Sequence, residues 1–115
     1  MKKEHIVKNN YDFDRIIKNN KAYKYKDYII YKENTNDIYK FGLSVGKKIG
    51  NAVMRNKYKR RLKYIIDQYK YIDGFNCIII LGKGILNKNF DEMQNNLYIA
   101  FKNINIIKES RNEEK

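Results

Sequence analysis

The sequence predicts an α+β fold in which one sheet packs against helices, and three stretches carry that prediction. Phe41, Leu43 and Val45 alternate with Gly42, Ser44 and Gly46, the period-two pattern of a strand with one apolar face. Tyr58, Leu62, Ile65, Ile66 and Tyr69 fall on one side of a helix at about 100° per residue. Phe75 to Leu81 is a continuous apolar run of strand length, as expected of a strand buried on both faces. With their neighbours these stretches give the order helix, strand, strand, helix, strand, helix.

The elements follow in sequence. Residues 1–8 are polar and basic and are expected to form a loose tail. Asn9 or Asn10 can cap a helix that runs to about Asn20, with Phe13, Ile16 and Ile17 as its apolar stripe; Asn20 suits a left-handed helix end. Lys24 to Glu33 is rich in tyrosine and isoleucine and reads as a strand. Asn34-Thr35-Asn36-Asp37 is a turn into the next strand, Ile38 to Val45, so these two are expected to pair as a hairpin. A basic loop follows, and Asn51 can cap a helix that starts at Ala52 and ends between Tyr71 and Gly74.

The apolar run from Phe75 is expected to be central and to lie beside the strand that precedes the helix. Cys77 within it reads as an inert core residue. Asn89, three residues before Glu92, resembles a capping box, and Phe90, Met93, Leu97, Ala100, Phe101 and Ile104 form one helical face. From about residue 108 to 115 the chain is charged and reads as a second flexible tail, leaving one domain over 1–115 with no repeat or linker.

Charge narrows the function. Twenty-five Lys and Arg against thirteen Asp and Glu give a formal net charge of +12, the mark of a polyanion binder. No apolar run approaches the ~20 residues of a membrane span, and nothing near the N-terminus resembles a signal peptide, so a cytoplasmic protein is expected. A lone cysteine fits a reducing compartment.

The charge is most concentrated between Lys47 and Lys63, where eight basic residues occur with no acid: Lys47, Lys48, Arg55, Lys57, Lys59, Arg60, Arg61 and Lys63. Cations in the first turns of a helix oppose its macrodipole, and no nearby carboxylate softens the repulsion. A local rule broken without compensation marks a binding site. The small residues Gly42, Ser44 and Gly46 leave one face of the preceding strand bare, open to a polymer backbone, and the Ser44 hydroxyl can bond a phosphate or sugar oxygen.

Self-sufficient nuclease chemistry is missing. The one histidine, His5, falls in the expected tail, and the acids are scattered, mostly at helix ends. No cluster has metal-ligand spacing, and there is neither a P-loop nor a GxGxxG motif.

The run Gly42-Leu43-Ser44-Val45, then Lys47-Lys48-Ile49-Gly50-Asn51-Ala52-Val53, then Arg55-Asn56-Lys57 and Lys59-Arg60, closely resembles the signature of the bacterial ribonuclease P protein subunit. The likeness extends more weakly from about Val7 to the last helix. It implies a mixed four-stranded sheet packed by three helices with a left-handed βαβ crossover (ribosomal protein S5 domain 2-like), against the general right-handed preference. In such a sheet the tyrosine-rich segment would be broken in two.

The resemblance also implies partners. A catalytic RNA would carry out metal-dependent hydrolysis and remove the 5′ leader from precursor tRNA. Magnesium would be held by the RNA and the substrate, and this chain would donate no catalytic group. The RNA-subunit face would comprise Lys47, Lys48, Arg55, Asn56, Lys57, Lys59, Arg60, Arg61 and Lys63. A cleft for the single-stranded leader would comprise Phe13, Ile17, Tyr28, Tyr31, Ser44 and Lys48, since bases stack on aromatic faces beside cations. Tyr28 and Tyr31 are three apart and face opposite sides of a regular strand, so without a bulge only one lines the cleft.

The chain departs from the family pattern in places. Lys57 stands where the family commonly has arginine, which exchanges a planar bidentate donor for a point charge. Ile17 replaces a usual Phe, Gly46 a usual Ser and Asn20 a usual Gly. Two other readings share the charge and the plan of elements. One is a ribosomal-protein-like RNA-binding module with no part in a reaction. The other is a DNA binder, for which the basic helix offers few side chains suited to base edges.

Overall fold

The computed structural model describes residues 1–108; the expected tail at 109–115 lies outside the described residues. Three helices and a four-stranded mixed sheet are formed: α1 (Asn10–Asn19), β1 (Ala22–Tyr25), β2 (Tyr28–Asn34), β3 (Lys40–Ser44), α2 (Ala52–Ile66), β4 (Phe75–Leu81) and α3 (Phe90–Asn103). The strand order is β1-β2-β4-β3, with β4 antiparallel to β2 and parallel to β3. β3, α2 and β4 thus form a βαβ unit whose strands are neighbours.

The continuous apolar run takes the centre of the sheet, as its sequence demands. Phe75, Cys77, Ile79 and Leu81 join the main core under α2 and α3, while Ile78 joins the smaller cluster under α1. Main-core side chains on the helices are Tyr58, Leu62, Ile65 and Ile66 of α2 and Met93, Leu97, Ala100 and Phe101 of α3. α1 is held more lightly. Ile16 is its one buried side chain, worth about 1.5–3 kcal/mol by burial, with Phe13 and Ile17 half-covered beside it.

Local chemistry explains the helix starts. The side chains of Asn9, Asn51 and Asn89 each accept a backbone N–H, from Asp12 (2.8 Å), Met54 (3.0 Å) and Glu92 (2.8 Å) respectively. Glu92 returns the bond to Asn89 N at 3.1 Å, completing the capping box.

Several expectations are corrected. The tyrosine-rich segment, one strand by composition, is two strands as the family resemblance implies; the break is at Lys26 and Asp27, and Lys26 takes a left-handed φ of 52°. The hairpin is therefore β1–β2; β2 and β3 do not pair, because β4, apolar on both faces, lies between them. Asn20 is extended (φ −130°) rather than left-handed, and its amide donates to Ile16 O at 2.9 Å to satisfy the helix end.

Helix α2 stops at Ile66, short of the expected Tyr71–Gly74. The buried Tyr71 hydroxyl donates to Ile66 O at 2.6 Å and so takes up a terminal carbonyl. Residues 70–72 then run beside 106–108, with Lys108 N donating to Lys70 O and Ile72 N to Ile106 O. Gly74 (φ 95°) serves the turn into β4, where its N–H donates to Asp37 O and its carbonyl accepts from Thr35 N.

The first eight residues are seated rather than loose. Ile6 pairs with Phe41 along the outer edge of β3, Val7 N donates to Phe41 O at 2.9 Å, and Val7 is buried. His5 stacks on Tyr39 with centroids 3.9 Å apart, and the Met1 ammonium pairs with Asp67 at 3.0 Å. Polar composition suggests a tail, but Ile6 and Val7 on the β3 edge, with Met1 packed against the main core, anchor the strap.

Candidate nucleic-acid interface

The basic loop and α2 are built as one unit. Lys47 and Lys48 are exposed on a short 3-10 turn, Lys47–Ile49, pinned by the buried Ile49. Gly50 follows with φ 144°, a conformation L side chains rarely adopt, and turns the chain into the Asn51 cap. Along the helix Asn56, Lys57, Arg60 and Lys63 are exposed, whereas Arg55, Lys59 and Arg61 flank the buried stripe and are half-covered.

Helical spacing puts Arg61, with Asn56, Lys57, Arg60 and Lys63, on the side away from the apolar stripe. It instead lies at the border, its guanidinium 5.2 Å from the Tyr58 ring centre and its Nη1 4.0 Å from Met93 Sδ. Arg55 Nε is buried without a hydrogen-bond partner among the described residues. None of the eight cations from Lys47 to Lys63 forms an ion pair with a described residue. Three cations outside this run do pair with acids: Arg15 with Glu33, Lys88 with Asp27, and Lys40 with Asp37. The hydrogen bond to Glu33 raises the Arg15 pKa further, and Glu33 also accepts from Asn76 at 2.8 Å.

The cleft residues divide between the two sides of the sheet. Phe13 and Ile17 of α1 meet Tyr31 of β2 over Ile78 and Ile80, and all but Ile78 are half-exposed. Ser44 pairs in register with Ile80 and so lies on this same face, and Lys48 stands on the turn just beyond it. Tyr28 does not belong here. It is 1% exposed in the core on the opposite face, where its hydroxyl donates to Met93 O at 3.1 Å and burial pushes its pKa up. No bulge interrupts β2, so the alternation of a regular strand selects Tyr31 alone.

The bare face of β3 is only partly bare. A Cβ at Gly42 would lie 2.7 Å from Phe13 Cζ and 2.6 Å from Ile78 Cδ1, so Gly42 admits a packed ring rather than a ligand backbone. Gly46 is the open position, with nothing within 4 Å of a Cβ there.

One grouping escaped the sequence reading. Lys59 and Lys63 of α2 share a recess of about 160 Å³ with Phe13 and Leu43, closed by Ile6 and Val7. The basic face and the cleft are thus continuous around the edge of β3. Periodicity within α2 places Lys59 near the apolar border, but only the tertiary arrangement shows what lies beyond it.

Among the described residues the groups that a protein nuclease would use do not converge. His5 Nδ1 lies 2.8 Å from Tyr39 O, and its nearest carboxylate is Glu4, 3.7 Å from Nε2. Among the described residues no three His, Cys, Asp or Glu side chains could hold a metal ion, and no helix is long and apolar enough to cross a membrane. Cys77 is wholly buried, and burial raises its thiol pKa.

Comparison with known proteins follows the same line. Residues 1–105 match the family model described as Ribonuclease P. The ribonuclease P protein component of Streptococcus pneumoniae is 36% identical over 118 aligned positions, spanning 100% of this chain and 96% of the relative. The Staphylococcus aureus RNase P protein has a solved structure that superposes with a TM-score of 0.81 at 29% identity, covering 90% of this chain and 98% of the other. A mutant form of that protein superposes at 0.84 with 30% identity, over 90% and 91% of the two chains. With the fold, the unpaired basic helix and these matches in agreement, the chain belongs to the bacterial ribonuclease P protein family.

Proposed function

We propose that this chain acts as one RNA-binding domain in ribonuclease P, with two adjoining surfaces. As a member of the family it is the RNA-binding, non-catalytic subunit of an RNA-based nuclease and assists 5′ processing of precursor tRNA. The observation that carries the finer reading is the set of eight cations without an ion-pair partner among the described residues. Such a set neutralises phosphates and releases counterions when RNA binds.

The first surface is Lys47, Lys48, Arg55, Asn56, Lys57, Lys59, Arg60, Arg61 and Lys63, and its partner is the catalytic RNA. Arg61, held against Tyr58 and Met93, is the least free of these to move. The second is Phe13, Ile17, Tyr31, Ser44 and Lys48, which hold the single-stranded 5′ leader by stacking and by bonds to its backbone. Binding the leader favours precursor over mature tRNA without any protein group entering the reaction.

Magnesium, held by the RNA and the substrate, supplies the hydrolytic chemistry when bound. Among the described residues no three His, Cys, Asp or Glu side chains are placed to hold a metal ion. The subunit works in the cytoplasm, where its substrates are made.

The test is cleavage of a 5′-extended tRNA at low magnesium by the cognate RNA subunit, with and without this protein, and by the protein alone. Cleavage that requires both components is expected. Cutting by the protein alone would overturn the division of labour. No effect of the protein would favour a ribosomal-type RNA binder.

A further inference from the structure

Lys57, Arg60, Arg61 and Tyr64 occur on α2 at spacings of three, four and seven residues, so their side chains share one stripe. Phe90, the first residue of α3, stands against it. The Tyr64 and Phe90 ring centroids are 5.6 Å apart with planes tilted by 56°, and the five residues line an open recess of about 430 Å³. Tyr64 is 58% exposed, and its hydroxyl bonds to no described residue. Tyrosine is abundant in this chain, so one exposed ring alone decides nothing; the juxtaposition with a second ring and three cations does.

Lys57 and Arg60 are exposed and unpaired among the described residues. The acids nearest to Phe90 in sequence are Asp91 and Glu92. The Glu92 carboxylate is turned back onto the Asn89 N–H, while Asp91 is exposed in the same turn. The recess therefore offers an aromatic face with positive charge along one side. That is the chemistry of an unpaired nucleotide site, with stacking for the base and cations for the flanking phosphates.

We propose that Tyr64 and Phe90 form a stacking subsite for one unpaired nucleotide of the RNA partner, with Lys57 and Arg60 on its phosphates. The proposal rests on α2 being an RNA-binding face. The subsite lies at the α2–α3 junction, on the opposite side of the sheet from the cleft under α1. It reads a base by its face and not by its edges, so it selects unpaired over paired positions rather than one sequence.

The experiment uses the full chain and two labelled ten-nucleotide RNAs, oligoadenylate and an abasic oligomer of the same length. Tyr64→Ala is expected to weaken oligoadenylate binding by about fivefold or more and to leave the abasic Kd unchanged. Tyr64→Phe keeps the ring and is expected to behave as wild type. Because Phe13 and Tyr31 can also stack bases, a 4-thiouridine decamer is crosslinked to locate the contact. Label is expected on the tryptic peptides bearing Tyr64 or Phe90, and its loss there in Tyr64→Ala. An unchanged oligoadenylate Kd in Tyr64→Ala, equal weakening of both oligomers, or label confined to the cleft would overturn the subsite while leaving α2 as an RNA face. Failure of the wild type to bind either oligomer or a structured RNA at low salt would overturn the α2 reading itself.

Discussion

The ring of Phe13 fills the space that a side chain at Gly42 would need: its Cζ lies 2.7 Å from the position of a Cβ there. A helix residue and a strand glycine are therefore one packing unit, and this unit sets the position of α1 over the sheet. Gly42→Ala must displace both Phe13 and Ile78 Cδ1. A cost of about 1–3 kcal/mol is expected, read as a lower urea midpoint. α1 is the lightly held element, so the variant should also lose preference for leader-bearing substrate. An unchanged midpoint and an unchanged preference together would show that Phe13 can move without consequence.

The two tyrosines of β2 make a matched pair of tests. Tyr28→Phe removes the hydroxyl that donates to Met93 O and should cost roughly 0.5–1.5 kcal/mol of stability with no change in substrate preference. Tyr31→Ala should lower the preference for precursor over mature tRNA by about fivefold or more while sparing assembly with the RNA subunit. A loss of preference in Tyr28→Phe would mean that the strand faces have been exchanged.

Arg60→Ala should weaken RNA-subunit binding and flatten its salt dependence by about one ion. The side chain is exposed, so the circular dichroism spectrum should not change. Lys59→Ala differs, because Lys59 shares a recess with Phe13. It is expected to lower both RNA-subunit affinity and leader preference, whereas Arg60→Ala lowers the first alone. Identical behaviour of the two variants would mean that the surfaces are not joined at the β3 edge.

Cys77 is expected to resist a thiol reagent in the folded protein and to react promptly in denaturant, since it is fully buried and burial raises its pKa. Rapid native-state labelling would mean that β4 opens readily.

Gly84→Ala probes the seam between the β1–β2 turn and the segment after β4. A Cβ there would collide with Asp27 Oδ1, and Asp27 also accepts the Lys88 ion pair at 3.1 Å. Destabilisation is expected from Gly84→Ala alone. In the double variant with Asp27→Ala the effects should be less than additive, because the clash and the pair share one carboxylate. Strict additivity would mean that Gly84 and Asp27 do not touch.

Much of this was legible from residue patterns. The alternation at Phe41–Val45, the stripe on α2 and the apolar run of β4 are local signals, and all three asparagine caps are written within four residues of the helices they start. The pairing of strands is not local. A turn at Asn34–Asp37 looks the same whether its flanking strands pair or admit a third between them. The end of α2 escaped notice because its determinant, the Tyr71 hydroxyl on Ile66 O, depends on a chain reversal that no periodicity records. Tyr28 and Tyr31 were separable in principle by counting along the strand, and the structure supplies the absence of a bulge that the count requires. The N-terminal strap is hidden in composition, which averages over residues: Met1, Ile6 and Val7 stand among five polar residues in the first eight.

That strap bears on how the protein stays in solution. Ile6 and Val7 lie along the outer edge of β3, the strand that closes the sheet on that side. An uncovered edge is a row of backbone donors and acceptors ready to recruit a strand from another molecule. Here part of that row is occupied by the molecule's own first residues. The covered stretch of β3 has fewer free backbone groups to offer a strand of another molecule.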